Sequence, residues 1–408
     1  MAQPHSYLPD DTAAARTVAR PVERPLIARH RVVHISTVHP PFDQRIFYRE
    51  CASLASAGYE THLLVPLPVT ELERKAVHLH SVGAPAEQRL ELALKRRWQR
   101  IRRAAALARQ LRADLYHLHD PELIPLGLWL KATTGARVVF DCHENNTAYI
   151  RQKHHVNPLL RKGLELGIAT LERLAARTFD AIITADRGVA DLYLRQFRAR
   201  RVVTVHNFPQ LDLFLQQPPP AEDAPFDLVY HGTIPRYHLE VTFAVAEALR
   251  RRSRCVRWLF FGRCPEIGWA REELARRGLQ DDFVIDPDPV PHDQVAPRVR
   301  QGRIGFIPLP DLPKFQHNIP TKLFEFMALG MPVVLSDLPP SRPFVGDGRC
   351  AIMVPPDDSE AYANAILRLL DDPTLRQAMG AEGRRRVIHE YNWQREAQYL
   401  LALYAELL

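Results

Sequence analysis

The sequence predicts two α/β domains, each a doubly wound parallel sheet, on three observations. Short apolar strand-like runs alternate with helical stretches almost throughout, and repeated βαβ units place parallel strands side by side between layers of helices. The alternation breaks once, at Phe208–Pro225, where Pro218-Pro219-Pro220-Ala221-Glu222-Asp223 reads as a linker. A chain of 408 residues also exceeds one ordinary core and suits two domains of common size.

The elements follow in order. Residues 1–29 are rich in Ala, Pro and Arg without an apolar h-region, and read as a disordered leader rather than a signal peptide. The N-terminal domain is expected over 30–207. Arg31–Ser36 is its first strand, followed by a loop with Pro40, Pro41 and Asp43, then a helix from Gln44 to Ala57 closed by Gly58. Thr61–Val65, Asp114–Leu118, Arg137–Phe140, Ala181–Thr184 and Val202–Val205 repeat the beat. After a linker at 208–225, the C-terminal domain (226–391) brings Asp227–Gly232, Val256–Phe261, Phe283–Ile285, Ile304–Ile307 and Val333–Ser336. The final segment, 392–408, is an amphipathic helix expected to pack across the domain boundary. Ligands of such sheets bind beyond the carboxyl ends of the strands, so the cleft between the halves is the expected site.

Composition narrows the class. The 46% hydrophobic and 25% charged content is that of a soluble globular protein, and no run of eighteen apolar residues could span a bilayer. Five cysteines, Cys51, Cys142, Cys255, Cys264 and Cys350, show no C-x-x-C pairing. That argues for a reducing cytosol and against a disulfide framework or structural zinc. The net charge of +7 suits nucleic acid, an anionic membrane or a phosphorylated substrate. Lys95 to Arg112 is a basic run carrying Trp98, Ile101 and Leu107. On a helix it suits an anionic bilayer surface, where a lipid-linked acceptor would be presented. No aromatic-basic platform accompanies it, so nucleic acid is not the expected partner. The expected location is cytoplasmic, peripheral at the inner face of the cell membrane.

The most informative segment is Asn318 to Val334. Pro320 suits the first helical position, where its missing N–H costs nothing. Thr321 and Lys322 then offer free backbone N–H groups and a lysine charge to an anion. Glu325, one turn on, is placed to accept hydrogen bonds from a ribose. Gly330 and Pro332 end the helix and Val333-Val334-Leu335 begins a strand. Phosphate at a helix start and carboxylate one turn in describe a nucleoside-diphosphate pocket; the plain alternative is an amphipathic helix before a strand.

With these segments in order, the chain resembles the retaining glycosyltransferases of family 4, of the bacterial polysaccharide-assembly type, whose GT-B architecture sets two Rossmann-like domains facing a central cleft. The resemblance rests on Val38–Ile46, His117–Leu123, Phe140–Glu144, Tyr230–Ile234, Phe261–Pro265 and Val290–Val295, together with the 318–334 segment. It implies a retaining, metal-independent hexosyltransferase that uses a nucleoside diphosphate sugar as donor substrate, needs no cofactor, and acts on a glycan or polyprenyl-linked acceptor. It places Gly232, Thr233, His238, Pro291, His317, Thr321, Lys322 and Glu325 around the donor. The catalytic candidates are His119, Arg236, Lys322 and Glu325: the resemblance sets His119 against the transferring sugar, whereas Lys322 is inferred from its position at the helix start and Glu325 from its place one turn in. Two positions depart from the pattern: His317 stands where members carry the first of two glutamates, and Thr233 stands where an arginine is usual. Arg236 and His238 are the nearest replacements for the diphosphate cations, with Lys322 supplying further charge. The resemblance also implies front-side transfer, the leaving phosphate helping to deprotonate the acceptor.

The remaining candidates come from position. His119 ends the strand Asp114–Leu118, and His143 and Glu144 end the next, facing the cleft. Asp43 and Arg45 sit on the first βα loop, on the acceptor side, although Asp43 could equally cap a helix. A zinc site on His117, His119, Asp120 and His143 has suitable donors, but strand alternation is expected to turn His117 away from His119. Asp286-Pro287-Asp288 resembles a metal-nucleotide motif in the wrong setting. The rival readings are a sugar-nucleotide epimerase on the same architecture and a non-catalytic scaffold with a decayed site.

Overall fold

A computed structural model describes residues 30–84, 90–151, 157–288, 290–313 and 315–408; the leader expected over 1–29 lies outside them. The N-terminal strands are β1 (Arg31–Ile35), β2 (Glu60–Val65), β3 (Glu71–Arg74), β4 (Val77–Ser81), β5 (Leu115–Leu118), β6 (Arg137–Cys142), β7 (Ala181–Thr184) and β8 (Val202–Thr204). They form one sheet in the order β3-β4-β2-β1-β5-β6-β7-β8. All its pairings are parallel except β3 with β4.

The C-terminal strands are β9 (Phe226–His231), β10 (Trp258–Phe261), β11 (Phe283–Asp286), β12 (Gly302–Ile307), β13 (Val333–Ser336) and β14 (Ala351–Val354). They run parallel throughout in the order β11-β10-β9-β12-β13-β14. In each sheet the strand order reverses beside the first strand. That opens a crevice beyond β1 and β5 in one domain, and beyond β9 and β12 in the other. Val38–Ile46 and His117–Leu123 lie at or beyond the ends of the first of these strand pairs, and Tyr230–Ile234 and the 318–334 segment at or beyond the ends of the second.

Strands such as β7 (Ala181-Ile182-Ile183-Thr184) are buried on both faces, which is why they read as continuous apolar runs rather than alternating ones. The β3–β4 hairpin and β14 were not anticipated. The hairpin turn is Lys75-Ala76, both left-handed at φ +52° and +57°, without the Asn-Gly or Asp-Gly pair that normally marks such a turn.

The C-terminal helix Trp393–Leu407 starts on the cap of Asn392, which accepts from the Arg395 N–H. It lies against the N-terminal sheet: Trp393, Leu400 and Leu403 are buried with Val32, Leu115, Val139 and Ile183. Trp393 Nε1 donates to Ser53 Oγ at 2.9 Å. The chain therefore crosses between domains twice, through the linker and through this helix. Among the described residues no helix is long and apolar enough to cross a membrane.

Candidate functional site

A cavity of about 390 Å³ opens between the two sheets. Its N-terminal wall carries His143 and Glu144 beyond β6, Asp186 beyond β7, and His206. Its C-terminal wall carries Tyr230, Thr233, His238, Asn318, Thr321 and Lys322. Phe208 seals the base, packing edge-on against Phe324 at 4.5 Å and stacking on His206 at 4.8 Å.

The C-terminal wall is built on the helix Thr321–Ala328. Pro320 is its cap at φ −74°, ψ 102°, and not its first helical residue, so Thr321 and Lys322 open the helix with no side chain capping it. Both residues line the cavity, at the positive end of the helix dipole where the first backbone N–H groups have no intrahelical partner. Opposite them β9 is followed by Gly232, whose φ of +99° favours glycine. A Cβ there would lie 3.0 Å from Lys322 Cε and 3.2 Å from its amine. The missing side chain is thus the space that Lys322 occupies. Lys322 lies 5.1 Å from the Tyr230 ring centre, and burial lowers its ammonium below the usual range against the opposing pull of Glu325. Tyr230 fixes the neighbouring turn, donating to Thr233 O at 2.8 Å, with His238 Nδ1 2.9 Å away.

Glu325 does not line this cavity. It is 5% exposed, and its Oε2 lies 2.9 Å from His231 Nε2. Burial alone would raise the Glu325 carboxyl, but His231, Arg49 and Lys322 together hold it below the usual carboxylate range. Arg49 comes from the N-terminal domain, and burial pulls its guanidinium down to about 10 despite Glu325. Neither His231 nor Arg49 was singled out in the sequence. His231 falls within the recognised segment Tyr230–Ile234 and Arg49 just after Val38–Ile46, but only the packed domains bring them to Glu325.

Arg236 is also displaced from its expected place. It opens the helix Arg236–Arg251 on the outside, pairing with Glu240 at 2.8 Å and lying over Trp269 at 4.4 Å. Pro291 is exposed at the start of the helix His292–Val299. His317 is exposed, with its backbone oxygen 3.6 Å from the position a Cβ on Gly188 would take. These three stand outside the cavity lining. Asp286 is tied to Arg298, and its Oδ1 accepts the Asp288 N–H.

The N-terminal wall contains a buried polar network. Arg45 is 4% exposed and grips Asp141 through two bonds of 2.7 and 2.9 Å. It is therefore an interior ion-pair partner and not an acceptor-facing group. Asp43 caps its helix, accepting from the Arg45 and Ile46 N–H groups. Burial alone would raise the Asp141 carboxyl, but Arg45 and His143 hold it well below the usual range. His143 Nε2 lies 2.9 Å from Asp141 Oδ2 and 3.3 Å from His119 Nδ1. His119 is 4% exposed and stands behind His143, so His143 faces the cavity in its place. Burial lowers the His119 imidazole to about 4.

The expectation for His117 was wrong. Residues two apart share a face of a strand, and the His117 and His119 rings stack with centroids 4.5 Å apart.

Residues 44–207 match the glycosyl transferase 4-like domain, and residues 225–372 match glycosyl transferases group 1. Among curated relatives, the MMP α-(1→4)-mannosyltransferase of Mycolicibacterium hassiacum is 24% identical over 320 residues, 75% of this chain and 74% of its own. The α-D-kanosaminyltransferase of Streptomyces kanamyceticus is 25% identical over 46% of this chain and 47% of its own. Among solved structures, sucrose-phosphate synthase from Thermosynechococcus elongatus superposes with a TM-score of 0.74 at 19% identity, covering 93% of this chain and 99% of that one. Anabaena HepE, solved with UDP and glucose, gives 0.67 at 13% identity over 93% and 100%. Both family matches fall on the two sheets that form the cleft, in the order the fold requires, and the chain belongs to glycosyltransferase family 4, with the GT-B architecture.

Proposed function

We propose that the protein transfers a sugar from a nucleoside diphosphate sugar to a glycan or lipid-linked acceptor, with retention of anomeric configuration and without a catalytic metal. The observation that carries this reading is the uncapped helix start at Thr321 and Lys322, facing a cavity with the Lys322 side chain laid against Gly232. The sugar C1–O bond breaks and its electron pair goes to the diphosphate. Two backbone N–H groups and the Lys322 ammonium receive that charge. The acceptor oxygen attacks C1 from the same face, and its proton passes to a leaving-group oxygen. His143 and Glu144 stand on the opposite wall, placed to hold the sugar and the incoming hydroxyl. Thr233 and His238 border the phosphates, while Glu325 orders Lys322 and His231 from behind. HepE, solved with UDP and glucose, and the M. hassiacum mannosyltransferase support this donor class.

A bilayer-borne acceptor is supported by the surface. The helix Pro158–Thr178 exposes Leu159 at 83% and Leu166 at 64%, with Leu160, Leu164 and Leu174 also exposed. Several exposed leucines on one helix suit contact with an apolar partner. Lys95, Arg102, Arg103, Arg109 and Arg112 are exposed on the helix Leu90–Leu111 and the residue after it, beside Trp98 at 63%. Arg100 and Arg97 do not join them. Arg100 is buried and donates to Thr37 O and Ala84 O, and Arg97 pairs with Glu122.

The test is saturation-transfer NMR with UDP-, GDP- and ADP-sugars on the wild type and Lys322→Ala, followed by product analysis. Binding of one nucleotide, a roughly 100-fold loss of turnover in the variant, and an α-linked product from an α-linked donor are expected. No binding across the panel would sink the reading.

A further inference from the structure

Beneath the cavity's N-terminal wall lies a cluster that the transfer reaction leaves unused. In the parallel register of β1 and β5, His34 stands directly beside His117, and His119 follows on the same face. The three rings are packed with centroids 4.5, 4.5 and 5.2 Å apart. Glu50 approaches them from the helical segment Gln44–Cys51. Its Oε2 is 4.0 Å from His34 Nδ1, 4.0 Å from His117 Nδ1 and 3.9 Å from His119 Nε2, and all four side chains are 0% exposed.

Two features point to a ligand at the centre of these four atoms. Glu50 is ion-paired through Oε1 with Arg45 Nε at 3.1 Å, but its Oε2, on the side of the three rings, has no hydrogen-bond partner, and a buried carboxylate oxygen left without one is costly. Two of the imidazoles are also braced on their far sides. His34 Nε2 lies 3.1 Å from the Tyr404 hydroxyl, and His119 Nδ1 lies 3.5 Å from Asp141 Oδ2. A histidine whose second nitrogen is held by a hydroxyl or carboxylate is oriented as a metal-binding histidine is.

We propose that His34, Glu50, His117 and His119 bind one divalent transition-metal ion of the zinc class, as a structural site in the N-terminal domain. Three imidazoles and one carboxylate suit zinc, and four protein ligands with no open position make a structural rather than a catalytic site. Metal–donor distances of 2.0–2.1 Å require donors about 3.3 Å apart, so each Glu50-to-histidine separation shortens by roughly 0.6 Å on binding. His34 Nδ1 and His119 Nε2, now 2.9 Å apart, open slightly. The Tyr404 hydroxyl, 2.8 Å from His117 Nδ1, gives up that contact and keeps His34. Because Tyr404 belongs to the C-terminal helix, the ion also fastens that helix to the sheet.

The test uses the full chain, purified without a histidine tag. Metal content is measured by mass spectrometry, and Co²⁺ is then exchanged in to read its visible absorption. One zinc-class ion per chain, the intense bands of tetrahedral Co²⁺, and a lower Tm after chelation are expected. Glu50→Gln, checked for folding by circular dichroism, should lose the metal. Tyr404→Phe keeps all four ligands and should weaken binding about tenfold. Folded wild-type protein with less than a tenth of an equivalent of metal and no Co²⁺ bands would overturn the proposal, as would equal metal content in folded Glu50→Gln. A buried water would then be what Glu50 meets.

Discussion

Glycine 232 shows how one residue can be read from its backbone and its neighbour together. Its left-handed φ of +99° and the 3.0 Å approach of Lys322 Cε both exclude a side chain. Gly232→Ala is expected to lose about 1–3 kcal/mol of stability by chemical denaturation and to weaken nucleotide binding by pushing Lys322 aside. Glu325 leads to a pH prediction. Its folded-state pKa lies below the ordinary value of 4.5 because of His231, Arg49 and Lys322, after burial has worked the other way. A depressed carboxylate contributes stability that is complete above about pH 4.5 and is lost as pH falls through the lower folded-state value. Thermal unfolding should therefore show a steeper acid decline in the wild type than in Glu325→Gln; parallel profiles would contradict the coupling. The type and place of Glu325 were legible from its position one turn into a helix. Its partners were not, because His231 and Arg49 lie far from it along the chain.

Elements were read well where local chemistry decided them. The strand Ala181–Thr184 and the strand Val333–Ser336 match the expected bounds, since each is a buried β-branched run with clear breakers. The β3–β4 hairpin was missed because Lys75 and Ala76 carry a left-handed turn by tertiary constraint rather than preference. The C-terminal helix gives the clearest prediction at this scale. Leu400 is fully buried against the N-terminal sheet. Leu400→Ala should cost about 2–5 kcal/mol, measured by urea unfolding, and should destabilise the N-terminal domain although the residue follows the C-terminal one in sequence. Loss confined to the C-terminal domain would show that the helix is not part of the N-terminal core.

For the whole molecule, the C-terminal switch point beyond β9 and β12 faces the ends of β6, β7 and β8 in the N-terminal sheet, and the cavity exists only because both domains line it. The surface adds a membrane prediction. The double variant Leu159→Glu/Leu166→Glu should abolish co-sedimentation with vesicles rich in anionic lipid, while leaving turnover of a water-soluble acceptor near the wild-type level. Raising salt should weaken wild-type binding, because each basic residue near the surface contributes roughly 1 kcal/mol that ions screen. Sedimentation unaffected by either change would remove this surface from the account.

The sequence alone determined the doubly wound class, the break in the strand–helix beat between two sheets, and the helix start near Thr321. All three depend on local periodicity, breakers and helix-end chemistry, which travel with the chain. It also suggested which residue types carry the chemistry, but not which way they point. Packing made Arg45 an interior partner of Asp141, moved Arg236 to the outer face, set His143 in front of His119, and gathered His34, Glu50, His117 and His119 around one point. Arg236 apart, those outcomes required contacts between residues 16 to 96 positions apart, and separations of that kind are fixed by sheet register and domain packing rather than by any local pattern.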